Sequence, residues 1–437
     1  MFILLGIFRL IWTALCGSGS FYAQSVDWDK HNRILNDLIH RDWPVCYHND
    51  NSNAMLTYYI GQYLVPAAVG KLFLNFRVGE IAMQLWNFLG VYLSVLLLFR
   101  LTKADNGRKQ VFAVIVFLFF STVLFLSRGL YAATAIGVGD LWDDSYWLSA
   151  KTRIFFRSTQ NILRWIPTNG PPAWIAASLF AEQKDTFKAY LFIAAPLLLN
   201  ATLPFIGLAL LMLGIFGVKM VLPGTSKTER LNLLKDCVSV PNICVLPVLL
   251  TEAVYIIGNA TGEKPAEIGF ALINFGPNTT LYFCFCIGFV CYSAVTFQLF
   301  KCEPLFYVVN VLLLLFPFFK MGVWNDLCMN ASIPAIFLLM NFTIQGMFCY
   351  TTENNPQHGK AVILAMLLFW GSIYPLRETI ESTKTGPTWD GSARYGNIGT
   401  MSDFARRDGT VPVDMAYNYF TYDYEQSLFY CLLAKDK

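Results

Sequence analysis

The sequence predicts an all-α, polytopic membrane protein, on two observations. Of the 437 residues, 55% are hydrophobic and only 14% charged, with a mean hydropathy of +0.47. Soluble domains carry roughly 25% charged residues, so most of this chain must be solvated by lipid or by other helices. The second observation is a recurrence of apolar runs close to the ~20 residues that cross a bilayer as a helix. They lie at 81–101, 111–128, 202–221, 238–258, 276–298, 304–321, 330–349 and 360–376, with shorter ones at 2–17, 163–180 and 186–200. Counted once each, these runs make an eleven-span protein. The formal charge of +3 is near balance and carries no nucleic-acid signature. The eleven cysteines are scattered, several inside apolar runs (Cys284, Cys286, Cys291), and read as small buried hydrophobes.

The first run resembles a secretory leader with Gly17-Ser18-Gly19 near a cleavage point. Arg9 interrupts it, however, and no charge precedes it, so it reads as a short first span. Basic residues then orient the chain. Lys103, Arg108 and Lys109 cluster between two spans, and Lys219, Lys227, Arg230 and Lys235 between two others. The positive-inside rule makes both loops cytoplasmic. Segments 18–80, 129–162, 322–329 and 377–437 then share the outer face. Within the first of these, 54–74 is apolar enough to span. Its Tyr58-Tyr59-Ile60-Gly61-Gln62-Tyr63 stretch and Pro66 suit an interfacial helix better.

The first outer loop carries Asp27-Trp28-Asp29-Lys30-His31-Asn32, charges that a membrane protein does not need for solubility. From Trp28, Leu35, Leu38 and Ile39 recur at helical spacing with polar residues between them. The spacing predicts an amphipathic helix lying on the membrane. Asp27 is placed to cap its N-terminus, and His31 lies one turn on, facing the same way. The plain alternative is a capped surface helix with an incidental histidine.

A short first span, an Asp-rich amphipathic outer loop and a Tyr/Pro interfacial segment before the second span together resemble the GT-C glycosyltransferases. These integral membrane enzymes use polyprenyl-phosphate sugars and include protein mannosyltransferases and aminoarabinose transferases. Asp27 matches the position of the family's hallmark acid, with Asp29 as second choice. The segment from Tyr58 to Lys71 resembles the following interfacial stretch, and Arg164-Trp165-Ile166-Pro167 fits the family layout. The chain departs in carrying a single Pro66 where many members have Pro-Pro. The resemblance implies a membrane-embedded catalytic domain over 1–376 and a small outer-face segment over 377–437. It also implies a polyprenyl-phosphate-linked sugar donor and a lipid, glycan or protein acceptor among membrane lipids.

Inverting transfer from a lipid phosphate needs a carboxylate to take the proton of the acceptor hydroxyl. It also needs positive charge or a metal at the leaving phosphate. Asp27 is the expected base, with Asp29 or His31 orienting it. Arg128, Arg164 and Lys320 are the expected phosphate cations, drawn from a set that includes Arg153 and Arg157; Arg128 and Lys320 also read as snorkelling residues. Tyr58, Tyr59, Trp165, Asn325 and Asp326 are the expected substrate contacts. Asp140, Asp143 and Asp144 form a second outer cluster, read either as a solvated loop or as carboxylates for a divalent metal. No metal ligand is assigned. Glu252, inside its span, is a functional suspect, and Pro171-Pro172 suggests a broken or re-entrant helix. The polar, Tyr-rich tail is expected to pack over the outer loops. Two alternatives fit the same topology: a polysaccharide polymerase or ligase, and a transporter or flippase of lipid-linked glycans.

Overall fold

The computed structural model describes residues 2–49, 52–134, 154–221, 226–259, 269–276, 279–322, 324–352, 356–384, 386–387 and 398–434. Helices dominate. The chain opens with α1 (Phe2–Leu15), α2 (Trp28–His40), α3 (Gly61–Leu72), α4 (Phe76–Thr102), α5 (Gly107–Phe119) and α6 (Leu124–Thr134). It continues through α7 (Thr159–Trp165), α8 (Gly170–Gln183), α9 (Tyr190–Asn200), α10 (Thr202–Val221), α11 (Lys227–Cys237) and α12 (Val240–Gly258). The last third holds α13 (Thr279–Phe300), α14 (Pro304–Leu315), α15 (Asp326–Ala331), α16 (Ile333–Tyr350), α17 (His358–Gly371), α18 (Ile373–Thr383) and α19 (Val413–Asn418).

Among the described residues, six helical segments are long and apolar enough to cross a membrane, and a seventh if α5 and α6, bent by 45°, form one span. This is the composition of a multi-pass α-helical membrane protein. Their outward faces carry exposed Leu85, Leu89, Ile115, Leu213, Leu250, Phe283 and Phe369, as helices solvated by lipid would. The segment Asp326–Tyr350 is the exception: 94% of its apolar window is buried, so it forms the axis around which the others pack.

The expected eleven spans are not all present as such. α1 has 14 residues and α9 has 11, about 21 and 16 Å of helix against a hydrocarbon core of ~30 Å. The run at 163–180 is divided between α7 and α8. Pro171 and Pro172 sit in the first turn of α8 and start that helix rather than breaking it, because proline there has no intrahelical N–H to lose. The segment 54–74 is not one interfacial helix. Its first residues belong to β2 (Ser52–Leu56), which pairs antiparallel with β1 (Cys46–Asn49) on one side. A second ladder, β3 (Ala271–Leu272) with β4 (Phe319–Lys320), is formed by only two residues in each strand. The other neighbour of β2 is β5 (Phe420–Tyr422), from the far end of the chain, in the register Ala54 to Tyr422 and Leu56 to Phe420. The fold is therefore helical with a small three-stranded sheet at one end. The boundary expected at 376/377 falls inside α18.

This sheet and the C-terminal segment cover α2. Ile34, Leu35, Leu38 and Ile39 are packed against Val45, Tyr47, Leu56, Tyr63, Met401 and Phe420. The apolar face of α2 thus meets protein, not lipid. Asp37, on the expected polar face, is buried. Its carboxylate accepts from Tyr47 Oη at 2.6 Å, the Met401 N–H at 2.8 Å and Arg41 Nε at 3.3 Å. A buried carboxylate with three donors ties the C-terminal segment to α2.

Beneath α2 lies a band of buried amides and hydroxyls. Asn32 donates to Gln24 (2.8 Å), Gln24 to Ser20 (2.9 Å), Asn87 to Ser18 (2.7 Å) and Gln84 to Thr13 (2.9 Å). Glu80 accepts from Ser20 and from Arg77, the latter at 2.9 Å. Such a network fixes one arrangement of the segment between α1 and α2 against α4.

Close helix approach sets a second anchor. A Cβ on Gly207 of α10 would stand 1.8 Å from the carbonyl oxygen of Ala331, the last residue of α15. Backbone cannot yield as a side-chain tip can. Gly207→Ala is expected to push α15 out of place and to destabilise the protein by about 1–3 kcal/mol, the usual cost of overpacking. A lowered midpoint of thermal unfolding checks it; an unchanged midpoint would mean that the two helices separate freely.

Candidate functional site

The site lies where the N-terminus of α2, the turn before α3, the segment leading into α7, the start of α15 and the C-terminal segment meet. Asp27 occupies the N-cap position of α2, but its side chain makes no capping hydrogen bond. It turns instead to Lys30, with Oδ2 3.2 Å from Nζ. Burial pushes the Asp27 carboxyl up, but Lys30, the neighbouring His31 and Arg157 more than offset it and hold the group below its usual range. Lys30 is the mirror case. Burial opposes its charge, yet Asp27, Tyr58 and Asp326 raise it above the ordinary lysine value. Both groups are ionised at neutral pH.

Asp326, the first residue of α15, faces the same space. Burial pushes its carboxyl above the usual range, with Arg157 and Lys30 pulling it back and Asp27 and Asp414 adding to the rise. Two local features present it. Asn325 is the N-cap in a left-handed conformation (φ 57°), accepting from the Cys328 N–H at 3.4 Å. Gly322 has φ +80°, and a side chain there would strike the Asp326 carboxylate at 2.4 Å, so glycine keeps the acid's space open. Arg157 arrives from the other side. Phe156 packs against Phe285 and Phe289, the Phe155 carbonyl receives Cys328 Sγ at 3.8 Å, and Arg157 Nη1 donates to Asn161 Oδ1 at 2.6 Å.

Tyrosines make the wall. Tyr58 stacks on Tyr59 (centroids 4.4 Å apart) and tilts against Tyr419 (4.5 Å). Burial pushes all three hydroxyls above their ordinary values, so they are neutral donors. Two carboxylates, an ammonium, a guanidinium and three phenols thus converge at one end of the bundle.

His31 has a different job from the one expected. One ring nitrogen, Nδ1, accepts from the Tyr63 hydroxyl, and Nε2–H donates to the Trp165 carbonyl at 3.1 Å. Both nitrogens are occupied, so the ring holds α2 against α3 and α7 rather than handling an acceptor. Ser25 and Trp28 donate to the adjacent carbonyl of Arg164, at 3.0 and 2.9 Å. These three bonds satisfy carbonyls that the end of α7 leaves open.

Burial pushes the imidazole from 6.5 down to about 4. Between those values the unfolded chain takes up a proton that the native state refuses. Stability is therefore complete above pH 6.5 and falls as pH drops toward about 4, by on the order of 3 kcal/mol from this residue alone. The expected result is that acidification from pH 7 to pH 5 lowers the unfolding midpoint of the wild type more than that of His31→Gln. An equal drop would remove His31 as the cause.

The other expected residues are placed elsewhere. Asp29 lies on a different face of α2, bound to Arg33 at 3.0 Å, because two residues along a helix turn a side chain about 200° away. Arg164 donates to the Glu378 carbonyl at 2.7 Å, and Trp165 Nε1 to the Glu378 carboxylate at 3.1 Å, where Asn161 also binds at 2.8 Å. These residues dock α7 on α18. Arg128 is buried on α6 and Lys320 lies in β4; neither they nor Arg164 are among the largest influences on Asp27. The cations that the fold brings to the carboxylates are Lys30 and Arg157. Lys30 and Tyr419 carried no periodicity that singled them out, although Lys30 is inside the hexapeptide that did. Arg153, Asp140, Asp143 and Asp144 lie outside the described residues. Among the described residues no group of three His, Cys, Asp or Glu side chains is placed to hold a metal ion.

Searches of protein families, curated proteins and solved structures return no match to this chain.

Proposed function

We propose that this chain is an inverting membrane glycosyltransferase of GT-C type that moves a sugar from a polyprenyl-phosphate donor to a hydroxyl acceptor on the outer face. The observation that carries the reading is Asp27. It is ionised, relieved of helix capping, and grouped with Lys30, Arg157 and Asp326.

The chemistry assigns each group a task. The acceptor oxygen attacks the anomeric carbon, the bond from that carbon to the phosphate oxygen breaks, and the acceptor proton passes to Asp27. Lys30 and Arg157 meet the charge that builds on the departing phosphate. Lys30 serves both ends: when its ammonium turns to the donor phosphate, Asp27 loses its stabilising partner and becomes a stronger base. Tyr58, Tyr59 and Tyr419 offer hydroxyl donors and ring faces to a sugar. Asp326 is placed to accept from sugar hydroxyls.

Product analysis tests this reading. Free polyprenyl phosphate should be released in proportion to glycosylated product, with the anomeric configuration inverted. A chain that carries lipid-linked sugar across the bilayer with the sugar-phosphate bond intact is a transporter, and the proposal fails.

A further inference from the structure

A second polar group, on a half-buried residue, is left unanswered by its surroundings. Glu252 lies on α12, six residues before its last residue Gly258, about 9 Å down the helix axis. Its Oε2 is buried without a hydrogen-bond partner, and among the described residues no ion pair reaches the carboxyl. Two nearby donors are spent: the Thr251 hydroxyl donates to the Pro247 carbonyl at 2.9 Å, and the Tyr255 hydroxyl to the Leu56 carbonyl at 2.8 Å.

Glu252 lines a cavity of about 270 Å³ whose other walls are almost wholly apolar, with Leu38, Leu56, Leu64, Leu199 and Phe429 among them. α12 is the candidate span least buried in the protein. Beside the cavity it exposes Val248, Leu250 and Ile257, so the space adjoins the lipid-facing surface.

An ionised carboxylate in apolar surroundings is costly unless a cation pairs with it. Acids inside membrane helices are conspicuous for that reason. The cavity asks for a molecule with a hydrocarbon body, and Glu252 asks for positive charge with an N–H donor. A neutral alcohol offers only the second half of that; a quaternary ammonium has charge but no N–H.

We propose that this cavity binds a lipid amine, its chain filling the apolar space and its primary ammonium paired with Glu252. The proposal is independent of sugar transfer, since Glu252 has no part in the cluster around Asp27. Its source is either a free long-chain amine or a membrane lipid with an amino headgroup, and one experiment separates them.

The full chain is placed in phosphatidylcholine nanodiscs doped with dodecylammonium, dodecanol or dodecyltrimethylammonium, or with phosphatidylethanolamine. Retained amphiphile is counted by native mass spectrometry. Dodecylammonium is expected to be retained at least tenfold better than the alcohol or the quaternary amine, and at least tenfold better by wild type than by Glu252→Gln. Leu64→Trp, which keeps the acid and fills the cavity, should lose it as well. Equal enrichment of phosphatidylethanolamine points to a membrane lipid as the source; retention of the single-chain amine alone points to a free amine. Retention that is equal in wild type and Glu252→Gln, equal for amine and alcohol, or absent for every amine overturns the proposal.

Discussion

Replacing Asp27 by asparagine is expected to lower sugar transfer by about 10²–10⁴-fold, the usual contribution of a positioned general base. The fold should survive, because the side chain that is changed caps no helix and the asparagine oxygen can still accept from Lys30. The pair is largely buried, with Lys30 11% and Asp27 27% exposed, so neutralising Asp27 should also lower stability. The loss should fall on kcat, since the amide keeps the shape of the site and removes only the proton acceptor. Asp27→Glu should recover part of the rate. Helical content and unfolding midpoint, measured alongside, separate a chemical loss from a structural one. Transfer by a well-folded Asp27→Asn protein at the wild-type rate would remove Asp27 from the chemistry and make Asp326 the next acid to test.

Arg157→Gln should cost about 10²–10³-fold in kcat, the scale seen when one donor to a developing charge is removed. Arg157 is the guanidinium whose charge reaches both Asp27 and Asp326. Its hydrogen bond to Asn161 fixes where that charge points. If Arg157 stabilises the leaving phosphate, kcat falls more than KM rises, and Arg157→Lys recovers only part because an ammonium lacks the planar fork. Arg164→Gln is the contrasting variant. Arg164 is engaged with α18, so its loss should lower stability more than transfer. A phosphate site centred on Arg164 would reverse the two results.

Much of the helical architecture is legible in the sequence because spans of about twenty apolar residues are a strong, local signal. The short elements are not. α7 and α8 merge into one apolar run unless the turn at 166–169 is recognised, and prolines at a helix start look like prolines that break a helix. The sheet was invisible for another reason. Each of its strands has three to five residues, too few for an alternation to stand out, and β5 pairs with a strand more than 360 residues earlier.

The site shows the same division. Asp27 could be singled out because charge next to an apolar span requires an explanation. Asp326 could be suspected from its turn. That the two acids share one space, and that Arg157 rather than Arg128, Arg164 or Lys320 accompanies them, depends on helix packing around α15 and on Gly207 and Gly322 leaving room for it. His31 illustrates the limit most clearly. Spacing places it one turn from Asp27, but its neighbours Tyr63 and Trp165, 32 and 134 residues on, turn a candidate catalytic group into a clasp.

The most direct test of the central claim is sugar transfer by the purified wild-type chain in vesicles. These would contain a broad pool of radiolabelled polyprenyl-phosphate sugars and membrane-derived acceptors. The account predicts that label leaves the lipid-phosphate fraction for a new product only in vesicles that contain the protein. Label that stays on polyprenyl phosphate at the level of protein-free vesicles, with the chain folded, would contradict it.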